Sequence, residues 1–421
     1  MKPSILLPIA LLLPLSIAQA NWGNWRGPAN DGISTATNLP DTWSETENVL
    51  WKLPLPAPGS STPAIIGDKI FLTVEFDGGV QILCINTAGK ELWRKTVCET
   101  KKGKKAGNGE KTNASPSPSA DTNGVYVMTG TGETVAYDHS GKELWRFNAQ
   151  EVYGKFRLGF GFHNTPVLHE GQLILQLINT NYQIVVSIDA KTGKETWKVD
   201  RPSDGVAECF HSYASPTAIR YGDTNVIITH GHDYTIGHDP QTGKELWRIG
   251  DLNPKEKYNR TLRFVASPVA HQNLVVAPSA KNRGVAGVDF TQAKGFVGRG
   301  GKSEVWRIEK GTPDVPSPII YNGLVYLCRE SGVGICLDAK TGEHYWEERV
   351  YAQTYRASPV AANGRIFFTA RDGTVSVLKA GKTLDIVAKN KLDDQITASP
   401  AISGERIYLR GYKSLYCIGK K

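Results

Sequence analysis

The feature that most constrains the fold of this chain is a Ser/Thr-Pro pair that recurs eight times, at intervals of 41 to 55 residues. Each pair is followed by a short apolar run, then by β-rich runs separated by turns, so each unit reads as four short antiparallel strands, A to D from the Pro onward. The pattern predicts an all-β, eight-bladed β-propeller of four-stranded antiparallel blades. The pairs are Thr62-Pro63, Ser117-Pro118, Thr165-Pro166, Ser215-Pro216, Ser267-Pro268, Ser317-Pro318, Ser358-Pro359 and Ser399-Pro400.

The D strand carries a second repeated motif, Gly-Lys-Glu-x-Trp, which is clearest at residues 89–93, 141–145, 193–197 and 243–247. The Gly is typical of a tight turn that needs a positive φ. The Trp is expected to lie between neighbouring blades and to bury a large apolar area there. The predicted blade tryptophans are Trp51, Trp93, Trp145, Trp197, Trp247, Trp306 and Trp346.

The two ends of the chain are expected to close the ring. Eight A strands are followed by only seven D strands, because the sequence stops just after the eighth C strand. Residues 48–51 carry Trp51 ahead of the first A strand, so this segment is predicted to complete the last blade. Such a closed ring has no open sheet edge.

The first 20 residues have the pattern of a cleaved secretory signal. Met1-Lys2 is basic, residues 5–17 are almost all apolar, and Ala18-Gln19-Ala20 provides the small residues of a cleavage site before Asn21. We therefore expect a signal peptide at 1–20, a lead-in at 21–47 and one propeller at 48–421. No Cys at the cleavage point predicts no lipid anchor, and no later stretch is long enough to span a membrane. The expected location is periplasmic or secreted.

The net charge indicates the kind of binding partner to expect, and the cysteine positions indicate core packing or a disulfide. A formal charge of +8 favours anionic partners, but the chain has no Arg-rich arm, so nucleic acid is not expected. Cys84, Cys336 and Cys417 occupy the same slot in three repeats and are predicted core residues. Cys328 and Cys336 flank one hairpin turn, where a disulfide is an open alternative. The ring is expected to be monomeric.

Residues before the Ser/Thr-Pro pairs and residues in the B–C turns are expected to share one face around the channel. Converging Arg and His side chains there predict binding of an anionic ligand; the alternative is that neighbours such as Arg371-Asp372 and Arg329-Glu330 neutralise each other. The long loop 97–113 opens on the same face and is expected to be a solvated insertion with Lys101, Lys102, Lys104, Lys105 and Lys111 against Glu99 and Glu110. The candidates before the pairs are His163, His211, Tyr213, Arg263 and Arg356, and those in the turns are His230, His232, Asp233, Lys281, Arg329, Glu330, Arg371, Asp372, Arg410 and Lys413.

The run His230-Gly231-His232-Asp233 permits two interpretations. Residues two apart on a strand point to one side, so both imidazoles could reach a metal. No fourth ligand is evident, and we expect the run to cap a turn and to bind no metal. No Gly-x-Ser-x-Gly elbow, Cys–His pair or phosphate-binding loop is present, so no catalytic residue is assigned.

The Asp-Ala-x-Thr-Gly-Lys-x-x-Trp cores resemble the repeat named after pyrroloquinoline quinone (PQQ), over essentially the whole mature chain. The lead-in Asn24-Trp25-Arg26-Gly27-Pro28 with Asp31-Gly32-Ile33-Ser34 resembles the opening of exported PQQ-like propellers of planctomycete-type bacteria. The resemblance implies the eight-bladed ring. It does not fix the function, because the ring serves both quinoprotein dehydrogenases and non-catalytic envelope scaffolds.

The resembled dehydrogenases hold PQQ over the channel, commonly with calcium, a catalytic Asp and a disulfide between adjacent cysteines. This sequence has no adjacent cysteines, and cations dominate the predicted mouth. The chain also resembles the cofactor-free propeller subunit of the outer-membrane β-barrel assembly machine. We therefore expect an exported, non-catalytic binding or scaffold module for an anionic ligand, a glycan or a protein partner, with no cofactor. The alternative is a PQQ- and calcium-dependent dehydrogenase of alcohols or sugars. A third possibility is hydrolysis or lyase chemistry on a polyanionic glycan by His163 or His211 with a neighbouring Arg.

Overall fold

A computed structural model describes residues 21–100 and 112–421. The described chain forms eight sheets, each with four antiparallel strands, arranged around a central channel, which confirms the predicted eight-bladed β-propeller. The predicted signal peptide at 1–20 lies outside the described residues, as do Lys101, Lys102, Lys104, Lys105, Glu110 and Lys111 of the long loop. No helix in the described part of the chain is long and apolar enough to cross a membrane.

The first four blades contain the longest strands of the ring. Their strands, preceded by β1 (Val49–Pro54), are β2 (Ala64–Ile66), β3 (Lys69–Phe76), β4 (Gly79–Asn86), β5 (Glu91–Glu99), β6 (Ser119–Ala120), β7 (Val125–Met128), β8 (Glu133–Tyr137), β9 (Glu143–Asn148), β10 (Val167–His169), β11 (Gln172–Ile178), β12 (Gln183–Asp189), β13 (Glu195–Asp200), β14 (Thr217–Tyr221), β15 (Thr224–Gly231), β16 (Tyr234–His238) and β17 (Glu245–Ile249).

The last four blades follow the same order. Their strands are β18 (Val269–His271), β19 (Leu274–Pro278), β20 (Val285–Asp289), β21 (Gly295–Val297), β22 (Glu304–Ile308), β23 (Ile319–Tyr321), β24 (Leu324–Cys328), β25 (Val333–Asp338), β26 (His344–Arg349), β27 (Val360–Ala362), β28 (Arg365–Thr369), β29 (Thr374–Lys379), β30 (Ile386–Lys391), β31 (Ala401–Ser403), β32 (Arg406–Arg410) and β33 (Ser414–Ile418). Within residues 21–100 and 112–421, the helical segments are α1 (Ala149–Val152) and two 3₁₀ turns, Ala207–Phe210 and Lys255–Lys257.

The ring closes as predicted. Strand β1 pairs antiparallel with β33, so the last blade has the order β1-β33-β32-β31 and places Trp51 opposite Cys417. One detail was not predicted. The short strand β21, from the C–D connection of the fifth blade, adds to the fourth blade as a fifth strand parallel to β17.

The blade tryptophans join neighbouring blades through both packing and hydrogen bonds. The indole Nε1 of Trp145 donates to the carbonyl of Ala190 at 2.9 Å, and that of Trp306 donates to Ala339 at 2.9 Å, in each case in the next blade. The C–D turn glycine of the next blade lies under the ring. A Cβ at Gly193, whose φ is +71°, would lie 2.6 Å from the Trp145 ring. Gly is therefore required there by conformation and by close approach.

A small residue on strand C faces the Trp on strand D of the same blade. The register pairs Cys84 with Trp93 and Cys336 with Trp346, which explains the shared cysteine slot seen in the sequence. In the seventh blade the Trp is replaced by Ala388, and its partner is the larger Val377. The larger residue on strand C thus coincides with the smaller residue on strand D.

The suggested bridge between Cys328 and Cys336 is not formed. The register places Cys328 opposite Gly334 and Cys336 opposite Tyr326, so the two sulfurs belong to different cross-strand pairs. All six cysteines, each within the described residues, are free.

Residues 21–47 cross one end of the channel and contact the innermost strand of successive blades. Arg26 lies at the centre of these contacts, buried, and donates to the carbonyls of Pro318 at 3.0 Å and Pro359 at 2.6 Å. The remaining contacts lie two or three residues beyond the Pro of the corresponding repeat, so the lead-in covers the end of the channel opposite the A-strand starts. The other contacts join Trp22 to Ile65, Gly23 to Ala120, Asn24 to Leu168, Asn30 to Ala218, Asp31 to His271 and Ser34 to Ala361.

The inter-blade role of the tryptophans predicts a large loss of stability on truncation. Trp306→Ala should lower the free energy of unfolding by about 3–5 kcal/mol, because it removes a buried ring and a hydrogen bond to the next blade. Urea unfolding followed by circular dichroism measures this loss. Val305→Ala is the matched control, since the neighbouring Val305 is 42% exposed and should cost no more than about 0.5–1 kcal/mol. Equal losses would contradict the assigned role.

Candidate binding site in the central channel

The eight Ser/Thr residues of the repeated pairs form a ring of hydroxyls around the channel. At seven consecutive junctions the backbone N–H of one residue donates to the side-chain oxygen of the next; Thr62 donates to Ser117 at 2.9 Å, and Ser358 donates to Ser399 at 3.0 Å. At the eighth junction the hydroxyl of Thr62 donates to the carbonyl of Ser399 at 3.2 Å. The other five junctions are Ser117 to Thr165, Thr165 to Ser215, Ser215 to Ser267, Ser267 to Ser317 and Ser317 to Ser358.

This arrangement uses the hydroxyl oxygens as acceptors and leaves their hydrogens for another partner. Apart from Thr62, no ring hydroxyl donates a hydrogen bond to any other residue that the structure describes. All eight residues line one cavity. Seven O–H donors therefore converge on that cavity, which favours an oxygen-rich or anionic occupant.

The cavity has a volume of about 400 Å³. Its far end is formed by Trp25 of the lead-in, so the channel is a cup closed at that end. Beyond the ring, the mouth combines aromatic, basic and acidic side chains. The remaining lining residues are Ser60, Ser115, Phe160, His163, Tyr213, Arg263, Val265, Asp314, Val315, Arg356 and Thr397.

Arg263 is the mouth cation whose surroundings are best defined. Its guanidinium lies over the Phe160 ring, 4.8 Å from the centroid. Its nitrogens lie 3.4 Å from a Glu208 carboxylate oxygen and 4.0 Å from an Asp314 oxygen. Short charge-assisted bonds measure about 2.7–2.9 Å, so these long contacts leave N–H donors of Arg263 for a ligand anion.

Two further predicted residues line the mouth. The Tyr213 hydroxyl accepts from the backbone N–H of Phe160 at 3.2 Å, and burial raises the pKa of Tyr213, which keeps it a neutral donor at neutral pH. His163 bonds through Nε2 to the carbonyl of Phe160 at 2.7 Å. His211 lies outside the lining; its Nε2 bonds to the Thr180 hydroxyl at 2.8 Å, and burial lowers its pKa.

The structure thus brings four predicted ligand residues, His163, Tyr213, Arg263 and Arg356, to the cavity. The candidates from the B–C turns do not reach it, and the reason is geometric. Each D–A connection leads to the innermost strand of a blade, whereas a B–C turn joins the second and third strands and lies farther from the axis. Among the described lining residues none comes from a B–C turn, which excludes His230, His232, Arg329, Arg371 and Arg410 from the cavity.

Several turn candidates have structural partners instead, and Arg329 and Glu330 contact other residues rather than each other. Arg410 is fully buried behind the cavity wall and donates to the carbonyl of Ser61 at 3.2 Å. Arg329 pairs with Glu347 at 2.8 Å. Other turn candidates also bind residues outside the cavity. Glu330 accepts from the backbone N–H groups of Asp314 and Val315, Asp372 pairs with Lys391, Lys281 donates to the Thr261 carbonyl, and Lys413 pairs with Asp393.

The run from His230 to Asp233 forms the B–C turn of the fourth blade. His230 is fully buried, stacks on Phe264 with 4.4 Å between centroids, and burial lowers its pKa to about 3. His232 points instead to the carbonyl of Gly205 at 3.2 Å. Asp233 accepts from the Tyr258 hydroxyl at 2.5 Å. The imidazoles have different partners, and no group of three or more metal-binding side chains occurs in the described chain.

The cup fits some features of a PQQ site and lacks others. Trp25, Phe160 and Tyr213 offer aromatic surfaces, and Arg263 and Arg356 could hold carboxylates of a flat anion. Calcium prefers six to eight oxygen ligands with several carboxylates. Asp314 is the one carboxylate among the described lining residues, and no cysteine lines the cavity. The residues therefore fit an aromatic anion but do not fit a calcium ion.

Sequence reasoning missed several cavity residues. The Ser and Thr residues of the ring indicated where each A strand begins, and Trp25 belonged to the segment that resembles PQQ-like propellers. Neither was predicted to line a cavity. Asp314, Phe160 and Val265 come from D–A connections that carry no repeated motif. All three precede a Ser/Thr-Pro pair by two to five residues, but only His, Arg and Tyr residues at such positions were chosen as candidates.

Eight four-stranded blades with inter-blade tryptophans define a PQQ-repeat β-propeller with a hydroxyl-lined cup. Residues 77–295 and 295–387 match the model of the family described as outer membrane protein assembly factor BamB, so the chain belongs to that family. A curated relative is the dehydrogenase subunit of the quinone-dependent alcohol dehydrogenase of Acetobacter aceti, 28% identical over 53% of this chain. The match spans only 31% of that relative's length.

Solved structures of two kinds share the fold. BamB from Moraxella catarrhalis aligns with a TM-score of 0.62 and 14% identity, over 89% of this chain and 97% of its own. The quinohemoprotein alcohol dehydrogenase of Comamonas testosteroni aligns with a TM-score of 0.68 and 14% identity, over 96% of this chain and 81% of its own. At such identities the likeness concerns the fold alone.

The buried histidines of the fourth blade predict acid sensitivity. His238 bonds through Nδ1 to the Gly243 carbonyl and through Nε2 to the Thr229 hydroxyl, both at 2.9 Å, and burial lowers its pKa to about 4. Between about pH 6.5 and pH 4 the unfolded chain therefore binds a proton that the folded chain does not, and stability falls as the pH falls.

The unfolding free energy measured by urea at pH 7, 6 and 5 should decline, and the decline should be shallower in His238→Gln. His344→Gln is the control, because His344 is exposed. An identical pH dependence in the wild type and His238→Gln would contradict the buried neutral imidazole.

Proposed function

We propose that this chain is an exported, non-catalytic binding module of the cell envelope whose central cup takes a small carboxylated, hydroxyl-bearing ligand. The observation that carries the proposal is the convergence of seven hydroxyl donors on one closed-ended cavity. A ligand with several acceptor oxygens satisfies such a ring better than an apolar one, because unpaired polar groups are costly once buried.

The charge at the mouth supports an anion. Arg263 and Arg356 lie in the same lining, and the neutral hydroxyl of Tyr213 lies beside them. Guanidinium groups bind carboxylates with two parallel hydrogen bonds. The signal-like first 20 residues and the family described as an outer membrane protein assembly factor support a role in the envelope, where a protein partner of the ring is also expected.

The double variant Arg263→Ala with Arg356→Ala tests the anion site. We expect the affinity for D-galacturonate, measured by isothermal titration calorimetry, to fall by about tenfold or more, because each lost charge-assisted bond contributes on the order of 1.5–3 kcal/mol. The melting temperature should stay within a few degrees of the wild type. D-Galactose, which lacks the carboxylate, is the control ligand and should bind both proteins weakly. Unfolding of the double variant would instead assign these arginines to the fold.

A PQQ-dependent dehydrogenase of alcohols or sugars is the second candidate, and one specific observation favours it: the aromatic and arginine lining suits a flat, carboxylated ring. The 28% identity to a quinone-dependent alcohol dehydrogenase subunit adds support. The lining does not supply the carboxylates that a calcium ion needs, and we therefore rank this candidate second.

Dye reduction separates the two candidates. Purified protein incubated with PQQ and calcium should give no dye-linked oxidation of ethanol or glucose above that of PQQ alone. Tryptophan fluorescence of the same mixture reports whether PQQ enters the cup near Trp25, independently of turnover. Sustained turnover that is lost in Asp314→Asn would overturn the non-catalytic assignment.

A further inference from the structure

Five exposed cations form a basic rim beside the mouth of the cup: Lys257, Arg260, Lys281, Arg283 and Lys310. They lie in three loops on the cup's open side, residues 250–268, 279–284 and 309–318. Together these loops contain seven Lys or Arg and four Asp or Glu. The rim is therefore a local concentration of positive charge on one sector of the ring.

The three loops form one continuous surface that leads into the cup. Lys281 donates through Nζ to the carbonyl of Thr261 at 2.6 Å, and the backbone N–H of Thr312 donates to the carbonyl of Arg283 at 3.1 Å. Loop 250–268 also supplies Arg263 to the cavity lining, and loop 309–318 supplies Asp314. A ligand bound at Arg263 can thus extend over the rim without leaving the positive surface.

The rim charges are not neutralised by neighbours. None of the five makes an ion pair with another residue that the structure describes. Glu309 lies close enough to Lys257 for their charges to interact, but Arg299 already pairs with it. Cations held together without partners carry a field that attracts an extended anion.

We infer that the basic rim and the cup together bind an acidic oligosaccharide, with a terminal uronate in the cup and the following uronates along Arg260, Arg283 and Lys310. This inference rests on the proposed function. A uronate carries both ring hydroxyls for the donor ring and a carboxylate for each cation it passes. A peptide would bring backbone N–H groups into the cup, where the ring hydroxyl oxygens already accept from the backbone.

The length dependence of binding tests this inference. Tetragalacturonate should bind the wild-type protein roughly tenfold more tightly than galacturonate, because each exposed ion pair contributes a factor of about two. In the variant Arg260→Gln, Arg283→Gln, Lys310→Gln this gain should fall to about twofold, while the affinity for galacturonate stays unchanged. Titration calorimetry at low ionic strength measures both ligands, and the gain should shrink with added salt.

A matched variant controls for net charge. Lys142→Gln, Lys194→Gln, Lys244→Gln removes the same charge from exposed C–D turns on the opposite face and should keep the tenfold gain. Equal affinities of monomer and tetramer for the wild type would overturn the inference but leave the cup as a binding site. Failure of both ligands to bind would overturn the proposed function as well. Tetraglutamate that binds as tightly as tetragalacturonate, with the same rim dependence, would overturn the assignment to a sugar.

Discussion

The ring of Ser/Thr hydroxyls is the interaction on which the rest of this structure depends. Seven of the eight hydroxyl oxygens accept a backbone N–H from the preceding blade, and the Thr62 hydroxyl donates to the Ser399 carbonyl at the eighth junction, so the innermost edges of the sheets are held together around the ring. A Pro after each Ser or Thr has no N–H to satisfy, which suits a position where strand A begins at the channel wall. The same contact fixes the orientation of seven hydroxyl donors. The closure of the fold and the character of the cup therefore have one cause.

The outer parts of the blades depend on a second repeated contact, between a Trp on strand D and the turn of the next blade. The Trp ring leaves room only for a small residue opposite it on strand C and for a Gly in the turn of the next blade. The seventh blade shows the coupling most clearly, because loss of the Trp at Ala388 coincides with a larger residue at Val377. Three blades have a cysteine at this position on strand C because it is a small residue. The register places Cys328 and Cys336 in different cross-strand pairs, so they form no disulfide.

Much of the fold could be predicted from the sequence because each of the two contacts is marked by a repeated sequence motif. The blade number, the closure through Trp51 and the role of the tryptophans all follow from these motifs. Fewer of the cavity residues could be predicted from the sequence. Residues before strand A and residues in B–C turns were assigned to one face, and this rule did not include distance from the axis. Arg263 and Arg356 lie on the innermost connections and reach the cup, whereas Arg410 and His230 lie one strand farther out and are buried in the blade. Trp25 has no repeat at all, and only the three-dimensional path of the lead-in places it at the end of the channel.

The lead-in determines what kind of channel this ring contains. A β-propeller without it would have an axial channel open at both ends. Here Arg26 and its neighbours bind backbone carbonyls of the innermost strands, and Trp25 forms the end of the cavity. On the proposed function, a ligand enters from the side that carries the Arg residues, and the end that enters first meets an aromatic surface and a circle of hydroxyls. Because charge lies at the mouth and neutral donors lie inside, we propose that the field draws in an anion and that hydrogen bonds then select its oxygen-rich end. Long-range charge governs approach, and the short-range donor geometry governs which group fits.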